Sequence, residues 1–190
     1  MKELEQEILK NGIIINDEIV KIDSFLNHQI DIPLFMKLAK DIREFFKDQI
    51  VDKILTIETS GIALAFAVGL EYGVKNFVFA KKNKSAIVGN DNYTSQIFSF
   101  TKKSTNTVTV DKKFINKGEN ILIVDDFLAG GNAGVGLIDI CRQAGANVVG
   151  FAAAVEKLFQ GGREKIEALG VKVYSGAAIK SIENNTIIFG

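Results

Sequence analysis

From residue 53 onward the chain alternates short aliphatic runs with stretches of helical length, and this rhythm limits the fold more than any other feature. The runs at 54–57, 77–80, 121–124, 148–155 and 171–174 are strand candidates, and 62–72, 133–144 and 163–169 are helix candidates. Consecutive apolar residues in a strand require cover on both faces, and the helical crossovers that provide it join strands in parallel. The expectation is a doubly wound α/β domain, with a central parallel sheet flanked by helices. Ligands of such sheets bind beyond the carboxyl ends of the strands, so the chemistry is to be sought at the strand-to-helix junctions.

Before this rhythm begins, Leu4 and Ile8 suggest a short amphipathic helix that stops near Asn11-Gly12. The run GIIINDEIVKI at 12–22 reads as a hairpin around a polar turn. Pro33 suits a first helical turn, and Leu34, Leu38, Ile42, Phe45 and Phe46 follow at helical spacing. Residues 81–113 break the alternation with polar, Ser/Thr-rich sequence holding β-like runs at 96–100 and 107–110, which reads as an inserted strand pair or flexible flap. A length of 190 residues without repeat or linker predicts one domain, 1–190.

Composition excludes several classes of function. Basic and acidic residues balance at 23 each, which removes the positive field that non-specific nucleic-acid binding needs. The uncharged stretches 59–70 and 143–155 fall short of the ~20 residues of a membrane span. The first ten residues carry three glutamates and no apolar signal core, so a cytoplasmic location is expected. Cys141 has no partner for a disulfide, and the sole histidine, His28, cannot build a histidine-rich metal centre, so no residue is assigned as a metal ligand.

The most informative junction is ILIVDDFLAGGNAG at 121–134. A buried strand ends in Asp125 and Asp126, and the small residues Ala129, Gly130, Gly131, Asn132 and Ala133 lead into a helix. Small side chains let backbone N–H groups approach an anion, and the helix N-terminus adds a partial positive charge, an arrangement suited to a phosphate monoester. Carboxylates aimed at that phosphate would repel it. Successive strand residues face opposite sides, which frees one acid for sugar hydroxyls and the other for the loop or a cation. The segment by itself also fits an acid pair ahead of a glycine turn; the GxxxxGK[ST] and GxGxxG phosphate motifs are both absent.

ILIVDDFLAGGNA resembles the phosphoribosyl-diphosphate (PRPP) motif of the type I phosphoribosyltransferases. IETSGI at 57–62 is a second junction, and the resemblance implies that Thr59, Ser60 and Gly61 receive the pyrophosphate of PRPP there. FAKKNKS at 79–85 opens the insertion, and its lysines are suited to neutralising the departing pyrophosphate; Lys81 stands where similar enzymes often carry Arg. EKLFQGGR at 156–163 supplies Lys157, able to donate to a purine carbonyl, and Phe159, able to cover the base.

Along nearly the whole chain the likeness is to the members of the family that use xanthine, most specifically in IDSFLNHQID at 22–31 together with EKLFQGGR. It implies a xanthine pocket made by Val20, Asn27, Lys157 and Phe159, with Val20 where leucine is more usual and His28 as a structural neighbour. Ala129 stands where hypoxanthine-guanine enzymes place an aspartate, and Gly130 where asparagine or threonine is common. The same resemblance implies Mg2+ bound mainly through PRPP, a homodimer, and a small hood from about 1–35 and 175–190. Adenine or guanine specificity, and a PRPP-sensing regulator without turnover, are the alternatives. The second wants a DNA-binding domain, for which the ~30 residues ahead of the first long helix leave little room.

Overall fold

The structure is a computed structural model that describes residues 1–16, 19–82, 91–99 and 104–190. The N-terminal part comprises α1 (Lys2–Asn11), the strands β1 (Ile13–Ile15) and β2 (Ile19–Lys21), a π-helical turn over Asp23–Asn27, and α2 (Ile32–Phe45). The α/β part follows as β3 (Lys53–Ile57), α3 (Gly61–Tyr72), β4 (Phe77–Lys82), β5 (Asn92–Ser99), β6 (Ser104–Asp111), β7 (Asn120–Leu128), α4 (Asn132–Ala144), β8 (Asn147–Lys157), α5 (Gly162–Glu167), β9 (Val173–Glu183) and β10 (Thr186–Phe189). Of the expected insertion, residues 83–90 and 100–103 lie outside the described residues, as do 17 and 18 of the hairpin turn.

Eight strands form one sheet in the order β10-β9-β8-β7-β3-β4-β6-β5. The five from β9 to β4 are parallel, as the alternation predicts. Around this parallel centre the sheet is mixed: β10 runs antiparallel to β9, and β6 antiparallel to both β4 and β5. Two residues join β9 to β10 and four join β5 to β6, too few for the crossover that parallel neighbours need. At the β9–β10 turn Asn184 and Asn185 take φ values of 49° and 60°, the left-handed pair that a tight hairpin requires.

Alternation along β7 and β8 divides the core in two. Leu122, Val124, Ala152 and Ala154 pack with α1, α2 and α3 through Leu4, Ile8, Leu38, Ile42, Leu64 and Val68. Ile121, Ile123, Phe151 and Ala153 pack on the other side with Leu137, Ile140, Cys141 and Ile166 of α4 and α5. Val20, Ile22, Phe25 and Leu26 of the N-terminal segment share the first cluster with Ile179 and Ile187 of β9 and β10. The terminal segments thus meet on one face of the sheet, and the Met1 ammonium donates to the Gly176 carbonyl.

Asp31 caps α2, accepting a hydrogen bond from the Leu34 N–H at 3.0 Å, an interaction worth about 1 kcal/mol. The helices α3 and α4 start differently: each begins without a side-chain cap, at Ser60 and at Gly131. Both beginnings lie at the carboxyl ends of the parallel strands.

Candidate active site

A cleft of about 480 Å³ opens at those strand ends, a size suited to one small-molecule ligand. It is lined by the loop and helix start from Ala129 to Gly134, by Glu58 and Ser60, by Asp125 to Leu128, by Lys82, and by Phe98 and Asn106 of the β5–β6 pair. Gly131 takes φ 77°, and its carbonyl accepts the first helical hydrogen bond, from Val135 N–H at 2.9 Å. Because Gly131 has no side chain to cap the helix, the N–H groups of the first turn keep their hydrogen-bonding capacity for a ligand. This cradle is anion-seeking by geometry and by dipole.

The acids sit within β7 rather than at its end, because pairing continues through Phe127 with Val155 and Leu128 with Glu156. Asp125 is buried, and its Oδ1 accepts the Asp126 N–H at 3.0 Å. A side chain on Gly61 would collide with the Thr56 hydroxyl and would bring its Cβ within 2.9 Å of Asp125 Oδ1. Only glycine therefore lets α3 start so close beneath β7. Burial first, and the neighbouring Asp126 charge second, push the Asp125 carboxyl well above the usual carboxylate range. Asp126 is half-buried and shares the cleft wall, so the two acids occupy different environments, as strand alternation implies.

The structure brings Asp125, Asp126, Ser60 and the five residues 129–133 to one cleft. Thr59 and Gly61 flank Ser60 without lining it, and Lys81 lies exposed outside the lining. Lys82 takes that place. Ala80 is buried against the α4 side of the sheet, and Lys82, two residues on, shares its face. The Lys82 N–H donates to Glu58 Oε1 at 2.6 Å, tying the two strand ends together.

The residues expected around the base do not line this cleft. Val20 is buried in the cluster that contains Leu26 and Val155, Asn27 ends the π-helical turn and is exposed, Lys157 ends β8, and Phe159 is half-exposed in the turn that follows. Phe127 spans the two regions, since it lines the cleft and packs against the same cluster as Val20. Cys141 is buried, and burial pushes its thiol up to about 12, which leaves it protonated and inert.

Sequence reasoning groups Lys82 with the other lysines of its run without singling it out, and it passes over Glu58, Phe127, Gln160, Phe98 and Asn106 among the lining residues. The parity of Ala80 and Lys82 carries the signal that singles out Lys82. Phe98 and Asn106 reach the cleft only because β5 docks on α4, where Asn132 Nδ2 donates to the Phe98 carbonyl at 2.9 Å and Gln143 Nε2 to the Thr94 carbonyl at 2.8 Å. Among the described residues no helix is long and apolar enough to cross a membrane, and no group of three or more His, Cys, Asp or Glu residues is disposed to hold a metal ion.

An acid pair, a glycine-built cradle and a second uncapped helix start thus share one cleft at the carboxyl ends of the parallel strands. Residues 21–183 match the model of the phosphoribosyl transferase domain, and the chain belongs to that family. It is 48% identical over 189 residues to the xanthine phosphoribosyltransferase 2 of Clostridium botulinum (strain Hall), with both chains covered completely. The xanthine phosphoribosyltransferase of Clostridioides difficile is 47% identical, also over the full length of both, and that of Acinetobacter baumannii is 44% identical over 98% of its own length. Among solved structures, the adenine phosphoribosyltransferase of Giardia lamblia, complexed with 9-deazaadenine, superposes with a TM-score of 0.78 at 21% identity, covering 93% of this chain and 98% of that one. The enzyme of Rhodothermus marinus superposes at 0.74 with 24% identity, covering 94% and 99%. These solved structures establish the type I fold.

Proposed function

We propose that this protein transfers the 5-phosphoribosyl group of PRPP to xanthine, forming xanthosine 5′-monophosphate and pyrophosphate in purine salvage. The observation that carries the reading is the pair of uncapped helix starts on one cleft, with Asp126 on the wall between them. Full-length relatives that bear the name xanthine phosphoribosyltransferase support the choice of base.

The 5-phosphate rests on the amides of Ala129 to Ala133, and the ribose hydroxyls bond to Asp126, with Asp125 beneath organising the loop. Thr59, Ser60 and Gly61 receive the pyrophosphate at the second helix start. Lys81 and Lys82 neutralise it as it departs. The bond from the anomeric carbon to the pyrophosphate oxygen breaks, positive charge grows at that carbon, and a nitrogen of xanthine attacks from the opposite face and then loses its proton. Configuration inverts, and catalysis consists of positioning and electrostatic stabilisation. Val20, Asn27, Lys157 and Phe159 hold the base, the Lys157 ammonium by donating to a purine carbonyl. The terminal segments, about 1–35 and 175–190, act as the hood over it, and residues 81–113 as the flap, on a single domain.

Glu58 and Asp126 offer hard oxygen donors on the cleft wall, chemistry that fits Mg2+ held jointly with PRPP oxygens. When bound, the ion offsets the negative charge on pyrophosphate. The protein acts as a cytoplasmic homodimer. The test is pyrophosphate release with PRPP, magnesium and each purine at equal concentration. Turnover highest with xanthine is expected; preference for adenine or guanine would reassign the base, and DNA binding without pyrophosphate release would make the protein a PRPP sensor.

A further inference from the structure

The back of the phosphate loop rests on the start of α5, a contact that the reading of EKLFQGGR as a base-recognition segment does not use. A side chain on Gly162 would collide with the Ala129 carbonyl and sit 2.8 Å from the Gly131 nitrogen, so backbone meets backbone there. Gly131 repeats the condition from the other side, since its Cβ would fall 2.8 Å from the Gly162 carbonyl oxygen. A Cβ on Gly134, in the first turn of α4, would lie 2.7 Å from Ile166 Cδ1. Glycine at three positions thus lets α5 press against both the loop and the helix it opens.

With six residues, α5 is too short to hold itself. Arg163 anchors it. The guanidinium grips buried Glu156 with both arms, Nε to Oε1 at 3.0 Å and Nη2 to Oε2 at 2.5 Å, and donates to the Val173 carbonyl at 3.1 Å. The Ser175 hydroxyl donates to the same carboxylate. From this platform the Lys165 ammonium donates to the Gly130 carbonyl at 2.7 Å.

We propose that Lys165 is a positioning residue for the phosphate loop, holding the Gly130 carbonyl from outside the cleft so that the amides beyond it stay aimed inward. A peptide unit is planar and trans, so fixing the carbonyl of Gly130 directs the N–H of Gly131 the opposite way. Two successive glycines have the widest conformational freedom of any dipeptide, and a hydrogen bond to a charged donor is an economical way to remove it. Lys165 is exposed and lies outside the buried core cluster, so its truncation leaves the packing of α5 to Arg163 and Ile166.

The proposal rests on the loop binding the 5-phosphate, and the test separates the two. Ribose 5-phosphate affinity by calorimetry, steady-state kinetics with PRPP and xanthine varied in turn, and melting temperature would be measured on the full chain and on Lys165→Met and Lys165→Arg. Expected for Lys165→Met is a rise of about fivefold or more in the KM for PRPP and in the Kd for ribose 5-phosphate, with xanthine KM and melting temperature unchanged and Lys165→Arg restoring both. Wild-type protein that binds no ribose 5-phosphate would sink the phosphate-loop reading and this proposal with it. Equal binding by wild type and Lys165→Met would sink the proposal alone. A parallel loss for both substrates with a lowered melting temperature would also overturn it, in favour of a role in stability.

Discussion

The loop after β7 is shaped to present main-chain amides, whereas the residues proposed to hold the base present side chains from separated parts of the chain: Val20 on β2, Asn27 in a π-helical turn, Lys157 at the end of β8 and Phe159 in the turn that follows. The first region is contiguous in sequence and is shaped by what is missing, the side chains of Gly130, Gly131 and Gly134. The second, as proposed, needs side chains, two of them exposed, to converge on the base. A site made of backbone is rigid before the ligand arrives and reads a charge. One made of side chains costs ordering entropy at binding and reads a pattern of donors and acceptors. The phosphate end should accordingly be intolerant of added bulk, and the base end open to gradual retuning.

The sharpest way to break this contrast is Gly131→Ala. The φ of 77° is strained for alanine, and the added Cβ would press on the Gly162 carbonyl, moving the cradle. A fall of about 100-fold in kcat/KM for PRPP is expected, since small misplacements of a positioning group carry penalties of that size. Near-normal kinetics would show that the cradle is not backbone-built. Next in size is Asp126→Asn, which removes the charged partner proposed for the ribose and should lower kcat/KM by roughly 10- to 100-fold, the equivalent of about 1.5–3 kcal/mol. Steady-state turnover decides it. A loss confined to xanthine KM would move Asp126 to the other region.

Lys157→Ala examines the base end. The xanthine KM should rise about tenfold, with discrimination between purines eroded and the PRPP KM unchanged, because the hydrogen bond proposed for Lys157 serves the base alone. An equal rise for both substrates would erase the division between the two regions. Smallest is the effect of Asp125→Asn on stability without divalent cation or PRPP. Burial and Asp126 raise the folded-state pKa of Asp125, so its contribution to stability is fully present below the unfolded value of about 3.9 and is lost as pH rises through the folded one. Asparagine does not ionise. The variant should therefore melt about 2–4 °C higher than wild type at neutral pH, the equivalent of about 1 kcal/mol, with the gap closing towards pH 4. A gap that stays constant across this range would remove the linkage.

The parallel strands and their helices were legible because each is a local pattern: aliphatic runs of strand length, glycine stops such as Gly73 and Gly145, and helical spacing after Pro33. The phosphate loop was legible for the same reason. The antiparallel additions were less so. The Asn184-Asn185 hairpin signal was present in the chain, but the runs around it mix charge with apolar residues and read weakly as strands. Lys82 was recoverable from strand parity, while choosing Lys81 weighed position in a motif above the face on which a side chain stands. Phe98 and Asn106 could not be found, because their place on the cleft follows from β5 docking against α4, far away in sequence.

The sequence alone settled the α/β class, the acid pair and the glycine-rich cradle, since strand alternation and the conformational freedom of glycine act over a few residues. Tertiary structure decided which acid is buried, which lysine reaches the cleft, and that Gly162, Arg163 and Lys165 stand behind the loop. Those outcomes depend on desolvation and close approach between segments distant along the chain, and burial is a property of the packed molecule that no short stretch of residues carries.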